Sequence, residues 1–454
     1  MTFQKREDRV IMVKQRPIAV DLFAGAGGMS LGFEQAGFDV LAAVEIDPVH
    51  SAVHHYNFPE CTVLPRSIQD LSGDHIREAT AIGMQKVDVV FGGAPCQGFS
   101  LIGQRMLDDP RNALVNDFVR IVSELDASYF VFENVKGLTV GKHQKFLHEF
   151  IDAFERNGYH IRQRWQVLNA AHFGVPQDRQ RLFLLGAKKG LKVPLYPEAF
   201  SSPPEQGKDL LKMKGPTCRD ALEDLPDAEC FESLLHSDET LVETWMGLSD
   251  YASELRCEHA KSWHFGYQRN WNPGLLTSSY RTMHSQISRT RFSETEPGKV
   301  EPISRFFKLP PDGVSNTLRA GTDGARGAFT SPRPIHYKHN RCVTVREMAR
   351  LHGFPDWFRF NHTKWHGARQ VGNAVPPPLA RAVAQSIMGA IGTVPVQPER
   401  VLELGDDALL RMDMTQAAKF WKVPVLLSRR TLRSGAKKRT QAQTELDRQR
   451  LIAS

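Results

Sequence analysis

Short apolar runs rich in β-branched and aromatic residues alternate with longer helical segments from Ile18 to Gly186. This alternation is typical of a mostly parallel β-sheet whose faces are covered by helices, so the sequence predicts an α/β fold. We expect strands at residues 18–23, 40–45, 87–92, 129–133, 165–168 and 181–186, and helices at residues 28–36, 48–57, 113–125 and 144–157.

The following part of the chain is less regular. Residues 187–340 carry frequent Pro, Gly, Ser and Thr with only short apolar runs, which predicts a second, irregular domain. Regular structure is expected again at residues 345–352, where Thr344 and Glu347 form a capping box. A final helix is predicted from Pro376 to about Ile391, because proline is tolerated in a first helical turn.

The net charge of +7 on 454 residues is unevenly distributed. Residues 221–260 contain one basic and 11 acidic side chains, whereas residues 261–340 contain 12 basic and five acidic ones. This pattern has two equally good explanations. The two stretches are ordinary solvated faces, or the basic stretch lies against phosphates. The charge alone leaves both interpretations open.

No apolar run approaches the roughly 18 residues that a membrane span needs, and the first residues lack the hydrophobic stretch of a secretory signal. We therefore expect a cytoplasmic protein with no membrane partner. The six cysteines are scattered, without a Cys-x-x-Cys pair or a Cys/His cluster at metal-ligand spacing. Neither a disulfide framework nor a metal site is expected.

A glycine-rich turn follows the first predicted strand, at residues 21–30. Glycines in this place let the backbone approach a ligand at a helix N-terminus. Glu45 ends the second strand, where a carboxylate commonly accepts hydrogen bonds from ribose hydroxyls. Because Ser30 stands where a dinucleotide motif has its last glycine, a nucleoside-type cofactor without a pyrophosphate fits better. A turn that serves only strand-to-helix packing is the alternative.

Cys96 lies in the loop after the third predicted strand, and Glu133 ends the fourth. Both are expected at the carboxyl edge of the sheet, where ligands of such folds bind. A lone cysteine is more commonly a buried small hydrophobe, but Gly93, Pro95 and Gly98 indicate a tight, exposed loop. A thiolate beside a carboxyl group suits covalent addition to an electron-poor ring such as cytosine.

Arg179 and Arg181 stand two residues apart at the head of the last predicted strand, so both guanidinium groups are expected on one side of it. A guanidinium fork binds a base carbonyl, a phosphate or a carboxylate. A charged strand end that pairs with an acidic residue of the same chain explains this motif equally well.

Read in order, these segments resemble the DNA (cytosine-5) methyltransferase family, of the bacterial modification-methylase type. The resemblance covers roughly residues 18–186 and 341–391. Any one motif is weak evidence, but six or seven in order are specific. The matching motifs are Asp21-Leu22-Phe23-Ala24-Gly25, Glu45, Pro95-Cys96-Gln97, Glu133-Asn134-Val135, Gln177-x-Arg179-x-Arg181, Arg346-Glu347-x-Ala349-Arg350-Leu351 and Gln370-Val371-Gly372-Asn373-Ala374-Val375-Pro376.

The resemblance implies a Rossmann-like methyltransferase sheet that binds S-adenosyl-L-methionine (AdoMet) and methylates carbon 5 of a flipped cytosine in double-stranded DNA. Cys96 would add to carbon 6 of the ring, and Glu133 would act at nitrogen 3 and the exocyclic amine. Arg181, with Arg179 nearby, would orient the base and the carboxylate. The implied AdoMet site consists of Phe23, Gly25, Glu45, Ile46, Leu114, Asn373 and Val375.

The resemblance also implies a division of the chain. Residues 1–17 would be an N-terminal extension, 18–186 the AdoMet-binding catalytic domain, 187–340 a target-recognition domain, 341–393 helices that return to the catalytic domain, and 394–454 a charged extension. In the recognition domain, Arg281, Arg289, Arg291 and Arg319 would face DNA. In the extension, residues 415–421 and 428–432 faintly resemble a helix-turn-helix, but an amphipathic packing helix is the preferred interpretation.

The chain departs from the family pattern in two places. Ser67 stands where an acidic residue that binds the adenine amine is expected, with Asp70 three residues later, so the source of the adenine contact stays open. Asn112 replaces a common glycine in the segment Asp109-Pro110-Arg111-Asn112, which leaves the conformation of the loop after Cys96 open.

Three other functions fit the sequence less well. A tRNA methyltransferase of the same fold would need less recognition machinery than the roughly 150 residues of the irregular region. A non-catalytic DNA-binding relative would be expected to lose Cys96, Glu133 or the arginines. A nucleotide-dependent oxidoreductase would leave Cys96 and Glu133 unexplained. We therefore expect a monomeric methylase that forms the protective half of a restriction-modification system.

Overall fold

The computed structural model describes residues 16–94, 113–141, 143–204, 212–247, 249–322 and 330–426. Cys96 and the loop that follows it lie outside these residues, as do the first 15 residues and the chain after Leu426.

A single large sheet forms the centre of the fold. Its strands are β1 (Ile18–Leu22), β2 (Asp39–Val44), β3 (Thr62–Leu64), β4 (Val89–Gly92), β5 (Tyr129–Val135), β6 (Tyr159–Ile161), β7 (Gln166–Asn169) and β8 (Gln180–Lys188). They lie in the order β3-β2-β1-β4-β5-β8-β6, with β7 also paired to β8. Neighbouring strands are parallel from β3 to β5, and β8 is antiparallel to each of its partners. All of these strands except β8 therefore run in one direction, which confirms the predicted mostly parallel sheet.

Helices cover both faces of this sheet. Every residue of β1 is buried, since Ile18, Val20 and Leu22 pack in one apolar cluster and Ala19 packs in the other. This burial on both faces explains the nearly continuous apolar runs from which the strands were predicted. The helices of this part are α1 (Gly28–Gln35), α2 (Pro48–Asn57), α3 (Gly73–Ala79), α4 (Ala113–Glu124) and α5 (His143–Arg156).

The reversed direction of β8 matters for the site. Its first residues lie beside the last residues of β5, with Arg181 opposite Val135 and Leu182 opposite Asn134. The start of β8 therefore meets the carboxyl ends of the other strands at one edge of the sheet.

The region predicted to be irregular contains short elements, as expected from its Pro and Gly content. Its described helices do not exceed nine residues, and its strands have two residues each. These elements are β9 (Ser201–Ser202), β10 (Met213–Lys214), α6 (Cys218–Leu222), β11 (Thr240–Leu241), α7 (Asp250–Leu255), β12 (Gln268–Arg269), β13 (Leu275–Leu276) and α8 (Gln286–Glu294).

Three helices then return to the sheet, namely α9 (Val345–His352), α10 (Lys364–Asn373) and α11 (Pro377–Ile391). The predicted capping box of α9 is confirmed, because Thr344 accepts from the Glu347 amide and Glu347 accepts from the Thr344 amide. Gly353 ends the helix with a φ of 83°. Helix α11 packs closely on α1, where a Cβ on Gly32 would lie 2.5 Å from that of Ala380.

The last described segment contains β14 (Val401–Leu402), α12 (Ala408–Arg411) and α13 (Met414–Trp421). Ala417 and Ala418 are buried on α13, and Trp421 donates from Nε1 to the Pro48 carbonyl at the start of α2. This confirms the packing-helix interpretation for residues 415–421, whereas residues 428–432 lie outside the described residues. In the part of the chain that the structure describes, no helix is long and apolar enough to cross a membrane.

Candidate active site

A cavity of about 980 Å³ opens at the carboxyl edge of the sheet. The residues that follow β1, β2 and β4 line it, together with the last residues of β5 and the connection between α10 and α11. All seven residues predicted to hold the cofactor share this cavity, and so do three of the four predicted catalytic residues. The former are Phe23, Gly25, Glu45, Ile46, Leu114, Asn373 and Val375, and the latter are Glu133, Arg179 and Arg181.

Glu45 follows β2, lines the cavity and contacts the glycine-rich turn after β1. The Gly25 amide donates to Oε2 of Glu45 at 2.8 Å, and the Asp47 amide donates to Oε1 at 2.8 Å. Burial raises the pKa of the Glu45 carboxyl group, and the neighbouring Asp47 adds to this effect while His50 and the two amides oppose it. A carboxylate in this position commonly accepts hydrogen bonds from the two hydroxyls of a ribose.

The backbone around Gly25 leaves room for a ligand. Gly25 adopts a φ of 57°, and a Cβ built on it would meet no atom within 4 Å. Phe23, also at positive φ, and the half-exposed Ile46 add apolar surface to the same cavity. A glycine cradle, a carboxylate and apolar walls fit a nucleoside with no pyrophosphate, as the sequence indicated.

Glu133 and Arg181 form an ion pair on the other side of the cavity. Nε of Arg181 lies 3.0 Å from Oε1 of Glu133, and both side chains are largely buried. Burial raises the pKa of Glu133, and the positive charges of Arg181 and Arg179 oppose that rise. The pair follows from the register of β5 and β8, which brings the two strand ends together.

Gly93 brings the chain close to this carboxyl group. A Cβ on Gly93 would lie 2.5 Å from Oε2 of Glu133, and Nδ2 of Asn134 donates to the Ala94 carbonyl at 3.1 Å. The backbone therefore runs past Glu133 at Gly93, three residues before Cys96. The predicted nucleophile itself lies outside the described residues, so its contacts stay a prediction.

Arg179 is buried and joins three segments of the chain. Its guanidinium group donates to the carbonyls of Leu318, Gly372 and Ala374 at 2.7–3.0 Å. Within the described part of the chain, its Nε has no hydrogen-bond partner. Arg179 thus fixes the position of the segment that carries Asn373.

The structure also adds polar residues that sequence reasoning missed. Ser30 donates to Oδ2 of Asp21 at 2.6 Å, and burial, reinforced by Glu45, raises the pKa of Asp21 to about 8. His50 and His366 line the cavity, and each has one ring nitrogen without a hydrogen-bond partner among the described residues. His50 lies on α2, five residues after Glu45. This spacing indicates a site residue only when Glu45 has already been assigned to a ligand.

Between the two open candidates for the adenine contact, the structure favours Ser67. Ser67 lines the cavity with Arg66 and Ile68, and Asp70 does not. The Ser67 hydroxyl accepts a hydrogen bond from the Gln69 amide, so it keeps its proton to donate.

Two of the four arginines predicted to face DNA form ion pairs within the chain. Arg289 pairs with Glu229, which belongs to the acidic stretch, and Arg291 lies 3.8 Å from Glu301. Their contact with DNA stays a prediction. Arg319, in contrast, is exposed beside the Leu318 carbonyl that binds Arg179.

Among the described residues, no group of three His, Cys, Asp or Glu side chains is placed to hold a metal ion.

Comparison with known proteins gives consistent results. The family model of C-5 cytosine-specific DNA methylases matches residues 18–389. The type II methyltransferase M.XorII of Xanthomonas oryzae pv. oryzae is 54% identical over 409 residues, which covers 90% of this chain and 93% of that protein. M1.HphI of Haemophilus parahaemolyticus is 36% identical, covering 81% of this chain and 86% of that protein. A crystal structure of a prophage-encoded DNA modification methyltransferase (E. coli) is 31% identical, with a TM-score of 0.64, and covers 83% of this chain and all of that one.

Proposed function

Because this chain belongs to the C-5 cytosine-specific DNA methylase family, we propose that it methylates a cytosine flipped out of a specific double-stranded DNA sequence, through a covalent adduct of Cys96. The observation that carries the proposal is the shared cavity. The buried Glu133–Arg181 pair and the ribose-type carboxylate Glu45 line one space at the sheet edge.

Glu45, Phe23 and Gly25 would hold the nucleoside part of AdoMet, with Ile46, Leu114, Asn373 and Val375 around it. When bound, AdoMet supplies a methyl group on a positively charged sulfur. Glu45 would accept hydrogen bonds from the ribose hydroxyls, and Ser67 would supply the polar contact to the adenine. These roles rest on the lining of the cavity and on the resemblance described above.

Cys96 would act as the nucleophile on the base. Its thiolate would form a bond to carbon 6 of cytosine, and the electron pair displaced from the ring double bond would make carbon 5 nucleophilic. Carbon 5 would take the methyl group, the proton on carbon 5 would then leave, and the bond between sulfur and carbon 6 would break to restore the ring and the thiolate.

Glu133 would stabilise the charge that develops at nitrogen 3. Burial raises the pKa of its carboxyl group, which favours the protonated form that such a contact requires. Arg181 would orient the carboxyl group through the 3.0 Å ion pair, and Arg179 would position the segment of Asn373 while contributing positive charge.

The irregular region at residues 187–340 would recognise the target sequence, and residues 341–393 would complete the catalytic domain formed by residues 18–186. The names of the relatives support a methylase of a type II system. We further propose that it is the protective enzyme of a restriction-modification system and that it acts as a monomer in the cytoplasm. The family match to DNA methylases also disfavours the tRNA enzyme and the oxidoreductase.

One experiment tests the proposal. The protein is incubated with plasmid DNA and AdoMet, and 5-methylcytosine is mapped by sequencing. We expect methylation in one sequence context, none with Cys96→Ala, and a rate about 10²–10⁴-fold lower with Glu133→Gln.

Cys230→Ala is the matched control, since Cys230 is exposed and does not line the cavity. Both cysteine variants should bind AdoMet like the wild type. Methylation of tRNA but not of DNA, or turnover by Cys96→Ala, would contradict the proposal.

A further inference from the structure

The part of the chain beyond the family match reaches the candidate active site. The match ends at residue 389. Nevertheless Asp413, Met414, Thr415 and Leu426 line the same cavity as Glu45. We propose that the segment at residues 413–426, named here the C-terminal wall, binds the AdoMet molecule and retains it; this inference rests on the proposed function.

Contacts with α2 hold the C-terminal wall in place. Leu409 and Leu410, just before it, pack in an apolar cluster with Ala52, Val53 and Tyr56 of α2. At its far end Trp421 donates to the Pro48 carbonyl at 3.2 Å. Because α2 begins directly after the segment Glu45–Asp47, these contacts place the wall on the cofactor side of the cavity.

Other contacts join the residues just before the wall to the connection before α10. The His362 amide donates to the Leu410 carbonyl at 3.0 Å, and Nδ2 of Asn361 donates to the Met412 carbonyl at 3.1 Å. Trp365, His366 and Arg369 of α10 line the same cavity. The residues that lead into the C-terminal wall are therefore fixed both to α2 and to the start of α10.

The side chains of the wall suit a ligand such as AdoMet. Met414 and Leu426 offer apolar surface, and Thr415 offers a hydroxyl group. In the same cavity, Nε2 of His50 is buried and lies 3.9 Å from Oδ2 of Asp47, but it has no hydrogen-bond partner among the described residues. A ligand with apolar and polar parts suits this lining, whereas DNA would approach Glu133 and Arg181.

Two pairs of variants test the inference in the full-length protein, with dissociation constants for AdoMet measured by calorimetry. Thr415→Trp fills the side of the cavity and should weaken AdoMet binding about 10-fold or more, whereas Lys419→Trp, on the exposed part of α13, should not. Leu426→Ala removes apolar contact and should weaken binding about 3-fold, whereas its neighbour Val425→Ala should not.

The KM for DNA should stay within about 2-fold of the wild type in all four variants, because the inference assigns the wall to AdoMet alone. Thermal melting shows whether each variant is folded. Unchanged AdoMet affinity in both Thr415→Trp and Leu426→Ala would overturn the inference, as would a change confined to the KM for DNA. A wild-type protein that does not bind AdoMet would instead refute the proposed function.

Discussion

Three buried carboxyl groups around the cavity show how the environment of a single residue directs its chemistry. Burial raises the pKa of each, but their partners differ. Glu133 faces two arginines, Glu45 accepts from two backbone amides, and Asp21 accepts from the hydroxyl of Ser30. Positively charged side chains therefore hold Glu133, whereas backbone amides hold Glu45. The first environment suits the proposed role of Glu133 in handling a proton, and the second suits the proposed role of Glu45 in binding a ligand.

Asp21 makes a testable contribution to stability. Its pKa rises from an ordinary value of 3.8 to about 8, so the folded protein binds this proton more tightly than the unfolded chain does. The stabilisation is fully present below pH 3.8 and is lost as the pH rises towards 8. The Asp21→Asn variant cannot ionise at this position. Its free energy of unfolding minus that of the wild type should therefore rise by at most about 1.4 kcal/mol per pH unit between pH 5 and 8.

Urea unfolding of the ligand-free proteins at pH 5.5, 7 and 8.5 measures this gain. Asp74→Asn serves as the control, since Asp74 is exposed on α3. A difference between Asp21→Asn and wild type that does not change with pH would show that Asp21 is ionised in the folded protein.

At the scale of elements, the contact between α1 and α11 helps to place two of the residues proposed to hold the cofactor. A Cβ on Gly32 would lie 2.5 Å from that of Ala380 and 2.6 Å from the Arg381 nitrogen. The two helices thus approach more closely than any side chain at position 32 would allow. Since α11 begins at Pro377, this contact also sets the position of Val375 and Asn373.

Gly32→Ala should therefore force the two helices apart. We expect a loss of about 1–3 kcal/mol in the free energy of unfolding, together with weaker AdoMet binding. Gly389→Ala, on α11 itself, is a matched control, because a Cβ there would meet no atom within 4 Å. It should stabilise the protein by up to about 1 kcal/mol and leave AdoMet affinity unchanged. Equal effects of the two variants on AdoMet binding would contradict this account.

The elements also show how far the sequence can predict the fold. The four predicted helices of the first part begin and end within one residue of those observed, since each has a long periodic pattern or a clear cap. Strands β3 and β6 have only three residues each and were not predicted, because pairing with β2 and β8 defines them more than their own side chains do. Helix α10 was also missed, and its Thr363 cap precedes a segment with few apolar residues.

The candidate site was predictable where motifs carry it. Glu45, Glu133 and Arg181 share one cavity, as the order of strands and turns required. Asp413, Thr415 and Leu426 were not predictable, since nothing local in residues 394–426 indicates a ligand and only tertiary packing on α2 brings them there. The pairing of Arg289 with Glu229, 60 residues away, was hidden for the same reason.

At the scale of the whole molecule, the exposed Arg319 lies at the edge of the sheet that carries the cavity. Its backbone lies against Gly372, where an added Cβ would come within 2.5 Å of the Arg319 carbonyl carbon. A cation at this position is available for a phosphate of bound DNA, and the net charge of +7 favours such binding.

Arg319→Ala should weaken DNA binding about 2- to 10-fold at low salt and lower the slope of log K against log salt concentration by about 1. Arg156→Ala is the control, because Arg156 is exposed at the end of α5, just before β6 starts at the opposite edge of the sheet. Fluorescence anisotropy at several salt concentrations measures both. An unchanged slope for Arg319→Ala would show that Arg319 does not contact phosphate.

The contact of Arg179 with Gly372 and Ala374 joins segments that the ribosome makes nearly 200 residues apart. During synthesis the sheet up to β8 can emerge while Gly372, Asn373 and the helix that packs on α1 do not yet exist. The cavity would then lack one side until residue 375 has been made. A chain that terminates before this residue would therefore carry the proposed nucleophile Cys96 and Glu133 without a complete place for the proposed methyl donor.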